Sequence, residues 1–119
     1  WLGITIYLTR EANLATLRGV AGAAAPGSEM VFTYTDQRAF DGPETEGFAR
    51  LRAARSTRGE EWVSGFHPAS LPDDLRAVGL ELRWDLGAVE LRERYCAERE
   101  DGLAPGSLGH IACASVAPA

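Results

Sequence analysis

Three consecutive segments constrain this chain most: the apolar run Trp1 to Leu8, a helix-forming stretch opened by Thr9, and the β-branched run Glu29 to Thr35. The first has the composition of a buried strand. Thr9 ends it and can accept from the free N–H groups of the next turn as an N-cap. Glu11 then lies in the first turn, where the helix dipole favours an anion. Leu14, Leu17, Val20 and Ala21 follow at spacings of three and four, giving one apolar stripe, and Pro26-Gly27 stops the helix. Gly19 and Gly22 inside it cost about 1 kcal/mol each relative to Ala unless backbone packs close to them, and we read the pair as a packing feature. Glu29-Met30-Val31-Phe32-Thr33-Tyr34-Thr35 is strand-like. Strand, capped helix, strand makes a βαβ unit with parallel strands and a right-handed connection.

Downstream, Asp41-Gly42-Pro43 reads as a helix start, with Phe48, Leu51 and Ala54 as its apolar stripe. The whole of 36–69 is long for a connection in a small domain, which marks it as a lid or connection segment. Ser70-Leu71-Pro72-Asp73 opens a further helix with Ser70 as cap, ending at Gly79. Leu80-Glu81-Leu82-Arg83-Trp84-Asp85-Leu86 alternates with period two, as a half-exposed strand near an edge does. A fourth helix is expected over 88–97, with Glu90 and Arg94 paired at i, i+4. Asp101 to Gly106 is turn material, and Leu108 to Val116 is the last strand. The order β-α-β-α-α-β-α-β implies an open α/β sheet with helices on both faces.

At 119 residues the chain has room for one small domain. A parallel strand at its very start wants neighbours on both sides, and only the strand around Val31 is at hand. The other flank would be a bare apolar edge, open to self-association. The expectation is a single partial domain, 1–119, belonging to a longer sheet. The net charge of −5 argues against a nucleic-acid surface, and Trp1 to Leu8 is too short to span a bilayer. Cys96 and Cys113 form no C-x-x-C pair, and His67 and His110 stand apart, so neither a metal site nor a disulfide framework is expected. Reduced cysteines in a cytoplasmic protein fit this pattern.

Familiar chemical motifs are absent: no G-x-G-x-x-G follows a strand, and there is no phosphate loop or nucleophile elbow. Ser64 near His67 carries no triad geometry. Position is the remaining guide. Ligands of open α/β sheets sit beyond the carboxyl ends of parallel strands, which places Tyr7 and Tyr34 either in the core or at a pocket, with Phe66 and His67 in the segment that would close over it.

The residues Trp1-Leu2-Gly3-Ile4-Thr5-Ile6-Tyr7-Leu8-Thr9-Arg10-Glu11-Ala12, Leu14 to Leu17, Ala25 to Tyr34, Arg94 to Leu103 and Leu108-Gly109-His110 together resemble the C-terminal half of the bacterial S-adenosylmethionine-dependent methyltransferases akin to leucine carboxyl methyltransferase. The resemblance covers essentially the whole chain and is weakest around 44–62. It implies a class I, Rossmann-like sheet of parallel strands with a reversed last strand, here Leu108 to Val116, inserted between the strands of Val31 and Leu82. The family's donor-binding N-terminal half would lie upstream. The opening run would be the end of a parallel strand and the loop that approaches the donor, implicating Leu2, Gly3 and Tyr7 in binding S-adenosylmethionine. Many relatives carry Glu where this chain has Leu2, an Asp where it has Thr33, and an aromatic residue where it has Cys96.

Methyl transfer from a sulfonium is an in-line displacement in which positioning supplies up to roughly 7–11 kcal/mol. A carboxylate acceptor is ionised near neutral pH and needs no base; a hydroxyl acceptor does. His67 is the one candidate base in the presumed lid, beside Tyr34 and Phe66 as candidate acceptor contacts, and no catalytic residue is otherwise assigned. The implied function is O-methylation of a small-molecule carboxylate or hydroxyl by the full-length protein, with the 119-residue chain alone inactive. The alternative is a non-catalytic, methyltransferase-like binding or assembly module.

Overall fold

The computed structural model describes residues 1–41, 46–102 and 108–118. Three strands form one sheet: β1 (Glu29–Thr35), β2 (Leu80–Leu86) and β3 (Gly109–Val116), in the order β1-β3-β2. β3 runs antiparallel to both neighbours, so β1 and β2 point the same way with the last strand reversed between them. The family resemblance implies this same insertion of the last strand.

The opening run departs from expectation. It is not a strand but an irregular segment with one 3-10 turn, Thr5–Tyr7. Gly3 sits at φ 72°, outside the extended region, and breaks the path a strand would take. The Gly3 N–H donates to Thr33 Oγ1 and Thr5 Oγ1 donates to Thr33 O, so side chains replace a backbone ladder. Trp1 alone lies along β1: its N donates to Val31 O (3.0 Å) and its O accepts from Thr33 N (3.2 Å). The two bonds flank Phe32, as in a single parallel rung. Further along, Phe66 N donates to Thr35 O and Gln37 N to Phe66 O, a parallel bridge between Asp36 and Phe66. The sheet of the described residues therefore contains no adjacent parallel strands, and the expected βαβ unit is reduced to the helix after Thr9, β1 and the rung at Trp1.

Helix α1 (Arg10–Ala23) begins as its sequence dictates: Ala12 N donates to Thr9 Oγ1. Then come α2 (Arg38–Asp41), α3 (Glu46–Ser56), α4 (Leu71–Ala77) and α5 (Ala88–Leu91), the last continued by a π turn, Arg92–Cys96. Leu17 of α1 and Leu71, Leu75 and Val78 on and just after α4 press with Phe66 onto Phe32, Tyr34, Leu80, Ala112, Ala114 and Val116. Each fully buried Leu or Phe here stabilises by about 1.5–3 kcal/mol. This packing covers one face of the sheet. On the other, where the sequence pattern expects helices as well, Val31 and Trp84 stay exposed.

Four local expectations are corrected. A Cβ on Gly19 or Gly22 would meet nothing within 4 Å, so the pair is not a packing feature. Leu51 and Ala54 are exposed, so the stripe on α3 is not a core face. Ser70 does not cap α4 with its side chain; its hydroxyl donates to His67 O instead. Glu90 turns back to accept from Gly87 N (3.1 Å), which serves the start of α5 rather than an i, i+4 pair. The expected helix start at Gly42-Pro43 and the turn residues 103–106 lie outside the described residues.

β2 is not a regular strand. Leu82 pairs with Ala114 but Trp84 pairs with Cys113, so Arg83 is an extra, bulged residue. Strict alternation would set Trp84 opposite Ala112 on the core face and turn Asp85 away. The bulge exchanges them: Asp85 faces Ala112 and Trp84 turns out.

Candidate functional site

Three side chains from three strands meet on the core face. Tyr34 of β1 is opposite His110 of β3 in the ladder, and the bulge brings Asp85 of β2 in from the far side. Tyr34 OH donates to Asp85 Oδ2. His110 Nδ1 lies 2.8 Å from Asp85 Oδ1 and 3.1 Å from Tyr34 OH. The His110 ring stacks on Tyr34 with centroids 4.7 Å apart and planes at 22°. Phe66 meets the same tyrosine edge-on at 5.9 Å.

Burial, followed by the bond to Asp85, pushes the Tyr34 phenol far above its usual range, so it remains a donor. Burial likewise raises Asp36, just beyond β1, but hydrogen bonds from the Arg38 side chain and backbone outweigh it and hold that carboxyl below its usual range. Arg38, Tyr34 and Asp36 thus keep fixed charge states around the carboxyl end of β1. Gly87 completes the enclosure: a Cβ there would lie 3.0 Å from His110 Cε1.

Beside this cluster is a cleft of about 270 Å³ lined by Gly3, Thr5, Ile6, residues 33–35, Leu91 and residues 109–111. It lies at the carboxyl end of β1 and the start of β3. The 3-10 turn that forms one wall is fixed from behind: Asn13 Nδ2 donates to Thr5 O (2.9 Å) and to Ser64 Oγ, and Ser64 Oγ donates to Leu8 O. Ser64 is thus a structural strut.

The residues singled out from sequence divide as follows. Gly3 and Tyr34 share the cleft. Leu2 is exposed at 65% and does not line it. Tyr7 borders a separate hollow with Gly59, Glu60, Glu61 and Val63. Phe66 is fully buried in the core. His67 faces another cavity, with Gln37 and Gly65, and its Nε2 pairs with Asp41 at 3.1 Å. Sequence reasoning missed Asp85 and His110. The signal for His110 was its register against Tyr34 in two antiparallel strands; Asp85 was hidden by the bulge.

No family model matches the sequence. Over 106 residues, 86% of this chain, it is 28% identical to the Bacillus subtilis (strain 168) protein named "Putative S-adenosyl-L-methionine-dependent methyltransferase YktD". The chain spans about a third of that relative's length (34%). An α/β chain with a polar cluster between two co-directional strands and a cleft at the carboxyl end of β1 is therefore similar in sequence to part of a protein named as a methyltransferase. Among the described residues no helix is long and apolar enough to cross a membrane.

Proposed function

We propose that this chain is the acceptor-side part of an S-adenosylmethionine-dependent O-methyltransferase acting on a small molecule, of the leucine carboxyl methyltransferase-like kind. The observation that supports this reading best is the reversed strand β3 between β1 and β2, with the cleft beside the carboxyl end of β1, in a chain similar to YktD.

The cleft suits the methyl-bearing end of such a donor. Gly3 presents backbone at φ 72°, and a Cβ there would meet nothing within 4 Å, so a ligand can approach the main chain closely. Ile6, Leu91 and Ile111 give the cleft walls apolar surface for a methyl-bearing group. When bound, the donor supplies a sulfonium methyl group to an acceptor oxygen. Gly3 would contact that donor; Leu2 beside it offers only apolar contact, having no acceptor atom, while Tyr7 faces the separate hollow. Tyr34 and the rest of the cleft would orient the acceptor, with 36–69 as the lid or connection beside it.

The test uses the complete gene product. Calorimetric titration with S-adenosylhomocysteine is expected to give micromolar binding, and transfer of a labelled methyl group to a mixed panel of carboxylic acids, alcohols and phenols should be detectable. Neither binding nor transfer under these conditions would overturn the proposal.

A further inference from the structure

Resting on the methyltransferase reading, we infer that His110 is the general base of the transfer, held by Asp85 as a positioning residue, and that the acceptor is a hydroxyl group of an alcohol, phenol or enol rather than a carboxylate.

His110 lines the cleft, and its Nδ1 is committed to Asp85 Oδ1 at 2.8 Å. Asp85 also receives the Tyr34 hydroxyl on its other oxygen. A carboxylate serving two donors accepts only, so the Nδ1 proton points to it and the lone pair rests on Nε2. Nε2 has no hydrogen-bond partner among the described residues. The ring cannot easily turn: Tyr34 stacks against it, and a Cβ on Gly87 would lie 3.0 Å from Cε1 and 3.4 Å from Nε2. Both partners are largely enclosed, with side-chain exposures of 14% for His110 and 15% for Asp85. An oriented imidazole of this kind has a use where a proton must be removed. A carboxylate acceptor has none to lose near neutral pH, whereas a hydroxyl does.

The step balances. The acceptor O–H proton passes to His110 Nε2. The oxygen's electron pair forms the new bond to the methyl carbon, and the carbon–sulfur bond breaks with its pair left on sulfur as a neutral thioether. The proton on Nε2 then leaves to solvent. The titratable groups facing the imidazole are Asp85 from β2, Asp36 after β1 (itself paired with Arg38), and Glu90 at the start of α5, with the Tyr34 phenol between them.

The experiment compares the complete gene product with its His110→Gln and Asp85→Asn variants. Labelled methyl transfer to phenols, alcohols and carboxylic acids is followed from acid to alkaline pH, alongside S-adenosylhomocysteine affinity. Nitrogen NMR of histidine-labelled protein reports the tautomer independently of activity. Expected are hydroxyl methylation that rises with pH through one ionisation, a 10²- to 10⁴-fold lower kcat in His110→Gln with unchanged S-adenosylhomocysteine affinity, and a proton on Nδ1 that loses its carboxylate-bonded shift in Asp85→Asn. Carboxylate methylation indifferent to His110→Gln, or a proton found on Nε2, overturns the assignment while leaving methyl transfer intact. Loss of donor-product binding in the unaltered protein overturns the underlying reading instead. Should His110→Gln fail to fold, the tautomer and the pH profile of the unaltered protein decide.

Discussion

Tyr34 and Asp85 are hydrogen-bonded although their strands are not neighbours; β3 runs between β1 and β2, and the phenol crosses it to reach the carboxylate. Only the bulge at Arg83 puts Asp85 on the same face as Tyr34. A bond between a largely buried phenol and a carboxylate contributes about 1.5–3 kcal/mol. A double-mutant cycle with Tyr34→Phe and Asp85→Asn, read by urea unfolding, should give a coupling energy of about 1 kcal/mol or more. Coupling near zero would mean that the two groups do not meet in solution.

Gly65 and Gly19 look alike in sequence and differ in their surroundings. A Cβ on Gly65 would overlap the Thr35 carbonyl oxygen and sit 3.1 Å from Gln37 N, both part of the bridge that holds Phe66 to the end of β1. Backbone cannot yield as a flexible side chain does, so Gly65→Ala should cost about 3 kcal/mol. Gly19→Ala enters open space on a helix and should stabilise by up to about 1 kcal/mol. Thermal melts of the two variants should move in opposite directions.

Much of the fold was legible because it depends on local chemistry. Thr9 caps α1, Gly79 at φ 92° ends the α4 region, and β1 and β2 have the bounds their β-branched and alternating residues imply. The opening run was misjudged because its apolar composition is that of a strand, while one glycine at positive φ and two threonine hydroxyls decide its path. The site was half legible. Tyr34 came from its place at a strand end, and Gly3 from the family resemblance. Asp85 could not, since a bulge formed at Arg83-Trp84 carries no glycine or proline to announce it.

Leu75 and Leu51 separate periodicity from burial. Both occupy positions in apolar helical patterns, yet Leu75 is fully buried against the sheet and Leu51 is 56% exposed. Leu75→Ala should therefore cost about 2–5 kcal/mol. Leu51→Ala should stay within about 0.5 kcal/mol. Equal losses for the two in urea titrations would show that α3 packs more closely than described.

Stability should fall at both ends of the pH scale, for groups that can be named. The folded-state phenol of Tyr34 and the buried Cys113 thiol are raised, by burial first in each case. For such groups the stabilisation is fully present below the unfolded pKa, about 10 for Tyr and 8.5 for Cys, and is lost as pH rises beyond it, because only the unfolded chain releases the proton. Each contributes a slope of about 1.4 kcal/mol per pH unit there. Asp36 is lowered, so its contribution is present above about pH 4 and is lost as pH falls further. Urea unfolding from pH 8 to 11 should show a shallower decline in Tyr34→Phe than in the unaltered chain, and between pH 5 and 2 a shallower decline in Asp36→Asn. Parallel curves above pH 10 would mean that the phenol ionises freely and that the bond to Asp85 does not hold its proton.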